Sequence, residues 1–412
     1  MFGALFFKEC KQVLKSLVYF IYVVVFVLFI TGQMSGDSAT RLQAPVPGQS
    51  YYGTTVAKDE TLIMEGVLAN LVEDINHNSW ATYPLGFYKG VTLTERETEQ
   101  AKAILERCTG KPFEVLLEEM AGHFGHYDQG SAEEMDAARA NYGVSVKEGF
   151  TYAEFEAAMK EICGLVGKGS AYEKSNYEYG IRIPMTYELA KEEFDALCEK
   201  DRVTRAYMRL FCDYAGIVLA ILPIFVGVSR ALRDRRAKVQ QVMFSKPASG
   251  ARIIVSRYLA NLVMLCIPVF VTAFLLQQPF CYKAQTFGIR GDGMAFLTVP
   301  GVWLLPEIMA VLALSFLITE LTDTIVAVFV QVAWAIGSIF GADVLVGDFR
   351  MRLIARWNTL GQTTLFSSLE KGFLQNRAYY FLLAVACIIL TVIVYERKRR
   401  KGGSLVWKNT ER

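Results

Sequence analysis

Six long, almost uncharged stretches interrupt the polar pattern of this chain, and each has the length of a membrane-crossing helix. A hydrocarbon core about 30 Å thick takes about 20 apolar residues in a helix, which satisfies its own backbone hydrogen bonds where no water can. On that criterion residues 17–33, 206–229, 253–276, 295–319, 324–342 and 378–395 are expected to form six transmembrane helices. Arg209 and Asp213 near the start of the second, Arg257 near the start of the third and Glu307 inside the fourth are the charges they contain. Between the first two stretches, residues 34–205 change character. After a Pro/Gly/Gln/Ser stretch at 43–53, which reads as a linker, apolar residues recur at helical spacing, as with Phe113, Leu116, Leu117 and Met120. The segment at 94–108 opens on a Thr and acids, and Ser131-x-x-Glu134 and Thr151-x-x-Glu154 have the spacing of a capping box. The expected fold is therefore an all-α membrane protein with a mostly α-helical domain of its own core inserted between the first two spans.

Composition sharpens this picture. Of 412 residues 53% are apolar and the mean hydropathy is +0.27, which excludes a disordered chain or a small disulfide scaffold. The net charge of +2 conceals a segregation: residues 34–205 hold 29 acids and 17 bases, the remainder 12 acids and 26 bases. Basic flanks stay cytoplasmic, and residues 1–16, 230–257 and 396–412 together carry eighteen Lys and Arg. The expectation is a multi-pass protein of the cytoplasmic (plasma) membrane with both termini and the basic 396–412 tail inside, and with 34–205 outside. Two places break the rule. The inward turn between the fourth and fifth spans is acidic (Glu320, Asp323), and the outward 343–377 loop carries Arg350, Arg352, Arg356, Lys371 and Arg377. The first span lacks a small-x-small cleavage site at Thr31-Gly32-Gln33-Met34-Ser35-Gly36 and is read as an anchor rather than a signal peptide.

Catalytic signatures are missing. The nearest look-alike of a phosphate-cradling loop, at 164–170, has the wrong spacing and a Gly where a hydroxyl is required. His123-Phe124-Gly125-His126-Tyr127-Asp128 is broken by Gly125, and the third His is far off at His77, so no metal site is expected. Three Cys in 34–205 permit a disulfide without demanding one, and free buried thiols are expected. The chain is read as a non-enzyme without a cofactor of its own.

Two segments flanking the spans are specific. Residues 1–17 set Lys8, Lys11, Gln12 and Lys15 on one helical face and Phe7, Cys10, Leu14 and Leu17 on another, the design of a helix lying in the membrane interface. Residues 230–252 read as a short basic helix stopped by Pro247, followed by Ser249 as the cap of the next helix.

With Phe6-Phe7-Lys8-Glu9-Cys10-Lys11 at its start, six spans, and Ser245-Lys246-Pro247-Ala248-Ser249 after the basic helix, the chain resembles the permease subunits of type-2 ABC exporters. The resemblance implies an amphipathic elbow helix at 1–16 and a coupling segment at 230–252. It also implies a second permease chain, like or unlike, and separate cytoplasmic ABC ATPase subunits that bind the ATP-Mg. Asp234, Arg235, Arg236, Val239, Val242 and Met243 would form the ATPase-docking surface, although Asp234 followed by two Arg departs from the Glu usual in the family. The alternative for these bases is contact with anionic lipid headgroups. Glu307, preceded by Pro306, is expected in the transport path, paired with Arg209 or facing water, with helix-to-helix hydrogen bonding as the structural alternative. Arg350, Arg352, Arg356 and Trp357 are expected at an outward interface with lipid, on re-entrant helices. Transport of a lipid, peptide antibiotic or other amphipathic compound is the expected function, with no nucleic-acid partner. A membrane-anchored receptor is the alternative, and a proton-coupled transporter using Glu307 is a third reading without visible internal repeats.

Overall fold

The computed structural model of the chain describes residues 2–34, 42–49, 51–84, 88–124, 132–245, 248–340, 347, 349 and 351–400. The protein is mostly helical, and its described residues divide into two compact units. One draws on 1–43, 195–339 and 346–412, the other on 44–194.

The first unit begins with α1 (Phe2–Leu14) and α2 (Leu17–Met34). Within the second, α3 (Glu60–His77) carries Val67, Leu68, Leu71 and Val72 into a core shared with α4 (Glu95–Thr109), α5 (Phe113–Phe124) and α7 (Tyr152–Val166). α6 (Ala132–Asn141), α8 (Lys174–Gly180) and α9 (Tyr187–Glu199) complete its helices. Both α4 and α7 start with a full capping box, Thr94 with Glu97 and Thr151 with Glu154, so the second of the two boxes expected from sequence is present. The first falls on Ser131 and Glu134, outside the described side chains. Two short antiparallel pairs were not anticipated: β1 (Thr54–Val56) with β4 (Arg182–Pro184), and β2 (Trp80–Thr82) with β3 (Lys89–Val91). The β2–β3 connection is aligned by Asn78, whose side chain donates to Leu93 O and accepts from Leu93 N, each at 2.9 Å. All eight cysteines carry free thiols.

Return to the first unit is through α10 (Thr204–Leu219) and α11 (Leu222–Ala231), bent by 44° at a break before Pro223. There follow α12 (Arg233–Arg236), α13 (Gln240–Phe244), α14 (Gly250–Thr286), α15 (Ala295–Trp303), α16 (Leu305–Thr322), α17 (Val326–Phe340) and α18 (Thr363–Arg400). Four helices, α2, α14, α16 and α18, are long and apolar enough to cross a membrane, and the bent α10–α11 pair makes a fifth if counted as one span. α17 is apolar but 15 residues long. This is a multi-pass helical membrane architecture. The expected fourth span is split at Leu304 into α15 and α16, and the expected sixth starts fifteen residues early, because α18 begins at Thr363.

Pro268 inside α14 explains why α2 packs where it does. Proline has no N–H, so Met264 O loses its partner one turn back, and the ring disturbs the neighbouring bond. Tyr19 Oη donates to Met264 O at 2.9 Å, replacing the donor that the proline removes, and Tyr22 Oη adds a second bond from α2 to Leu265 O at 2.7 Å. Gly227 allows the equally close approach of α11 and α16, since a Cβ there would lie 2.8 Å from Ser315 Cβ.

Two predictions follow from these contacts. Tyr19→Phe should cost about 1–3 kcal/mol by leaving the buried Met264 carbonyl without a donor, and Tyr22→Phe less, about 0.5–1.5 kcal/mol, both measured by denaturation of the purified chain in detergent. In the second unit burial raises the Asp74 carboxyl to about 6, opposed by the hydrogen bond from Tyr172. Its folded pKa lies above its unfolded value, so folding takes up a proton and stability falls as pH rises from about 4 to 6. Asp74→Asn should therefore protect the α3 amides from hydrogen exchange better than wild type at pH about 8, the difference closing towards pH about 4.

Candidate functional site

The helices of the first unit look almost uncharged in sequence, yet they enclose a set of ion pairs. Near the start of α16, Pro306 stands just after the break that ends α15, and there Trp303 O accepts from Arg377 Nη1 at 2.9 Å. The same nitrogen lies 3.3 Å from Glu307 Oε2, while Nη2 donates to Leu353 O and Nε to Asn376 Oδ1. Both charged side chains are buried, and the Arg377 guanidinium lies over the rings of Phe373 and Tyr380. Glu307 Oε1 has no hydrogen-bond partner.

Glu307 is buried within the bundle, and the cation it pairs with is Arg377 rather than Arg209. Arg209 is taken by Asp201, with two bonds of 2.5 Å, and Asp201 also accepts from Thr363 Oγ1, the first residue of α18. Asp213, one turn from Arg209, instead holds Arg356 (Nε to Oδ1, 2.8 Å) and the Trp357 amide. Arg356 and Trp357, expected to face lipid, are accordingly drawn into the bundle, and Trp357 is wholly buried. Residues 351–362 contain no helix, while 363–377 of the expected loop belong to α18. Arg352 is half-buried and its carbonyl faces Asn376 Nδ2 at 2.9 Å; Arg350 lies outside the described residues. The excess of bases in this loop has a physical reason: Arg356 and Arg377 neutralise acids inside the helices.

A second network joins α1, the 230–257 region, the turn after α16 and the end of α18. Glu9 of α1 makes a two-pronged pair with Arg230 (2.6 and 2.7 Å), and Arg257 joins Glu9 at 3.5 Å to Asp234 in direct contact. Arg235 meets Asp323 at 2.5 Å, and Asp323 and Glu320 also hold Lys398 of α18. The acidic turn that breaks the charge rule is therefore neutralised by the basic segments around it. Arg399 donates to Phe244 O and Ala248 O, and Glu396 accepts from Gly250 N at 2.5 Å.

These bonds fix the 230–252 segment, which is not the single basic helix expected. α12 and α13 are separate short turns, broken where Lys238 takes φ 54°. Of the docking candidates, Asp234 points inward to Arg257, Arg235 is held by Asp323, and Met243 lines a narrow crevice with Phe244, Glu320 and Tyr395. Arg236, Val239 and Val242 remain exposed. Lys246 and Pro247 lie outside the described residues; Ser249 caps α14 by accepting from Arg252 N. α1 turns Glu9 and Val13 inward and leaves Phe7 and Leu14 exposed together with Lys8 and Lys11.

Sequence reasoning missed Glu9, Arg230, Arg257, Lys398 and Arg377 as structural ions. The available signal was numerical, three acids (Asp201, Asp213, Glu307) opposite a loop with surplus bases, but spacing along the chain gives no pairing over such separations.

Among the described residues no cluster of three or more His, Cys, Asp and Glu could hold a metal. His123 bonds Ala138 O, and His126 and Asp128 lie outside the described residues.

Arg356→Gln should weaken the hold on Asp213 and loosen the segment around Trp357. Hydrogen exchange at the Trp357 amide is expected to rise roughly tenfold or more, as for loss of a charged hydrogen bond; unchanged exchange would place the anchor elsewhere.

Comparison with known proteins gives no relative: no family model, no curated protein and no solved structure matches the chain.

Proposed function

We propose that the chain is the membrane-spanning permease subunit of an exporter driven by separate ATPase subunits, the type-2 ABC class that it resembles. The observation that supports this most is the way residues 232–250 are mounted. The segment is short, presents Arg236, Val239 and Val242 outward, and is held by Arg257 of α14, by Asp323 in the turn after α16 and by Arg399 of α18, with Arg233 donating to Gln12 of α1. A force applied to that face would reach the helices through ion pairs rather than through a flexible tether. Such a mount suits a contact for an energy-supplying partner. The chain itself has no phosphate-binding loop, so ATP-Mg would belong to that partner. The distribution of Lys and Arg supports a cytoplasmic-membrane location with this face and both termini inside. A second permease chain would complete the path, and the cargo would be a lipid, a peptide antibiotic or another amphipathic compound.

A membrane-anchored receptor is the second reading. It draws on a cavity of about 610 Å³ in the 44–194 unit, whose walls include Glu65, Glu73, Asp74, Arg139, Tyr142 and Arg182.

Affinity purification of the full chain from its native membrane separates the two. The exporter reading expects a co-purifying subunit with a phosphate-binding loop. Arg236→Glu with Val242→Asp should reduce its recovery roughly tenfold or more, the effect of losing a buried contact. Arg235 is left intact in this variant, since it holds Asp323. Recovery of no such subunit, or equal recovery with the variant, would contradict docking through this face.

A further inference from the structure

A cleft of about 570 Å³ lies between α1, the end of α11, α12 and α14. Its polar walls are cationic: Lys15, Arg230, Arg233 and Arg236 line it with the hydroxyls of Ser16 and Ser229, and no Asp or Glu does. Arg230 spends Nε and Nη2 on Glu9, but its Nη1 is buried without a hydrogen-bond partner, the nearest carboxylate being Asp234 at 3.8 Å. Lys15, Arg233 and Arg236 form no ion pair among the described residues, and Arg233 donates only to Gln12. Like charges gathered in one concavity repel one another unless an anion joins them.

Another orphan lies in the wall. Asn261 is wholly buried, donates through Nδ2 to Arg257 O at 2.7 Å and leaves Oδ1 without a partner. A buried acceptor of this kind costs about 1–3 kcal/mol unless a donor reaches it. The cleft therefore asks for a ligand with a dense negative charge and, beside it, a hydroxyl or amine hydrogen. Its setting narrows the source. Val13 and Val226 complete the lining, and Leu14 and Leu17, next to Lys15, are exposed apolar side chains where the first membrane-crossing helix begins.

We propose that this cleft binds the headgroup of an anionic phospholipid, the phosphate held by Lys15, Arg233 and Arg236 and a headgroup hydroxyl donating to Asn261. Arg–phosphate contacts supply the charge-assisted bonds, and the surface of an anionic leaflet supplies the ligand at high local concentration. Bound there, one lipid would add a link between α1 and α12 beside the Gln12–Arg233 hydrogen bond. This inference rests on membrane placement and not on the exporter reading, and its test reads lipid binding alone.

The full chain, purified in detergent, is titrated with phosphatidylglycerol, phosphatidylcholine or inorganic phosphate and followed by native mass spectrometry. The expected result is one phosphatidylglycerol retained in preference to phosphatidylcholine. Arg233→Gln with Arg236→Gln should weaken retention roughly tenfold or more, the loss of two surface cations. Lys8→Gln with Lys11→Gln, exposed on the same helix but outside the cleft, should leave it unchanged. Ser229→Phe, which fills the cleft and keeps every charge, should also abolish retention. Equal retention of the two lipids, or insensitivity to both cleft variants, would overturn the proposal. Displacement of the lipid by millimolar inorganic phosphate would make this a soluble-anion site and overturn the lipid assignment.

Discussion

The pairing of Glu307 with Arg377 is the interaction on which the rest of the helical unit depends. A lone carboxylate or guanidinium in a membrane interior costs several kcal/mol, and the cost falls only when an opposite charge and further hydrogen bonds meet it. Arg377 meets both demands: it faces Glu307 and also takes up carbonyls of Trp303 and Leu353. One side chain thus joins the broken α15–α16 span, the irregular 351–362 segment and α18. The same constraint, repeated at Asp201–Arg209 and Asp213–Arg356, determines that the 351–362 segment folds onto the helices instead of lying on their surface.

In the second network the constraint has a different consequence. Glu9, Arg230, Asp234 and Arg257 bind the N-terminal helix to the start of the 232–250 segment, while Asp323, Glu320 and Lys398 bind that segment to the turn after α16 and to the last helix. Elements far apart in sequence are thereby bonded around one short loop. Surface ion pairs contribute little, but these are mostly buried, where removing one partner is costly. Rigid mounting and an outward patch of Arg236, Val239 and Val242 are the properties that a coupling element requires, which is why the exporter reading is preferred to one in which the loop is a passive basic flank.

Much of the architecture was legible in the chain. The uncharged runs mark the helical spans because lipid leaves a helix no other composition, and Thr94 and Thr151 mark the starts of two helices because their hydroxyls and the Glu three residues on satisfy orphan amides. Breaks were less legible. Pro306 announces a disturbance, but only the fold tells that the helix stops at Trp303, and the early start of α18 at Thr363 is hidden by polar residues that read as loop. The candidate site was read least well. Glu307 stands out by its depth, whereas its partner Arg377 lies outside every apolar run and is seventy residues away. Trp357 looked like an interface aromatic because its burial depends on Asp213 capturing the adjacent Arg356 and its own amide, contacts that span more than one hundred and forty residues.

The most direct measurement is the stability of Glu307→Gln, Arg377→Gln and the double variant, each as the full chain unfolded in detergent. If the buried pair organises the unit, each single variant should lose about 3–5 kcal/mol, since it leaves the opposite charge buried and unpaired, and the double variant should recover a large part of that loss. Losses that simply add, or a Glu307→Gln chain as stable as wild type, would contradict it.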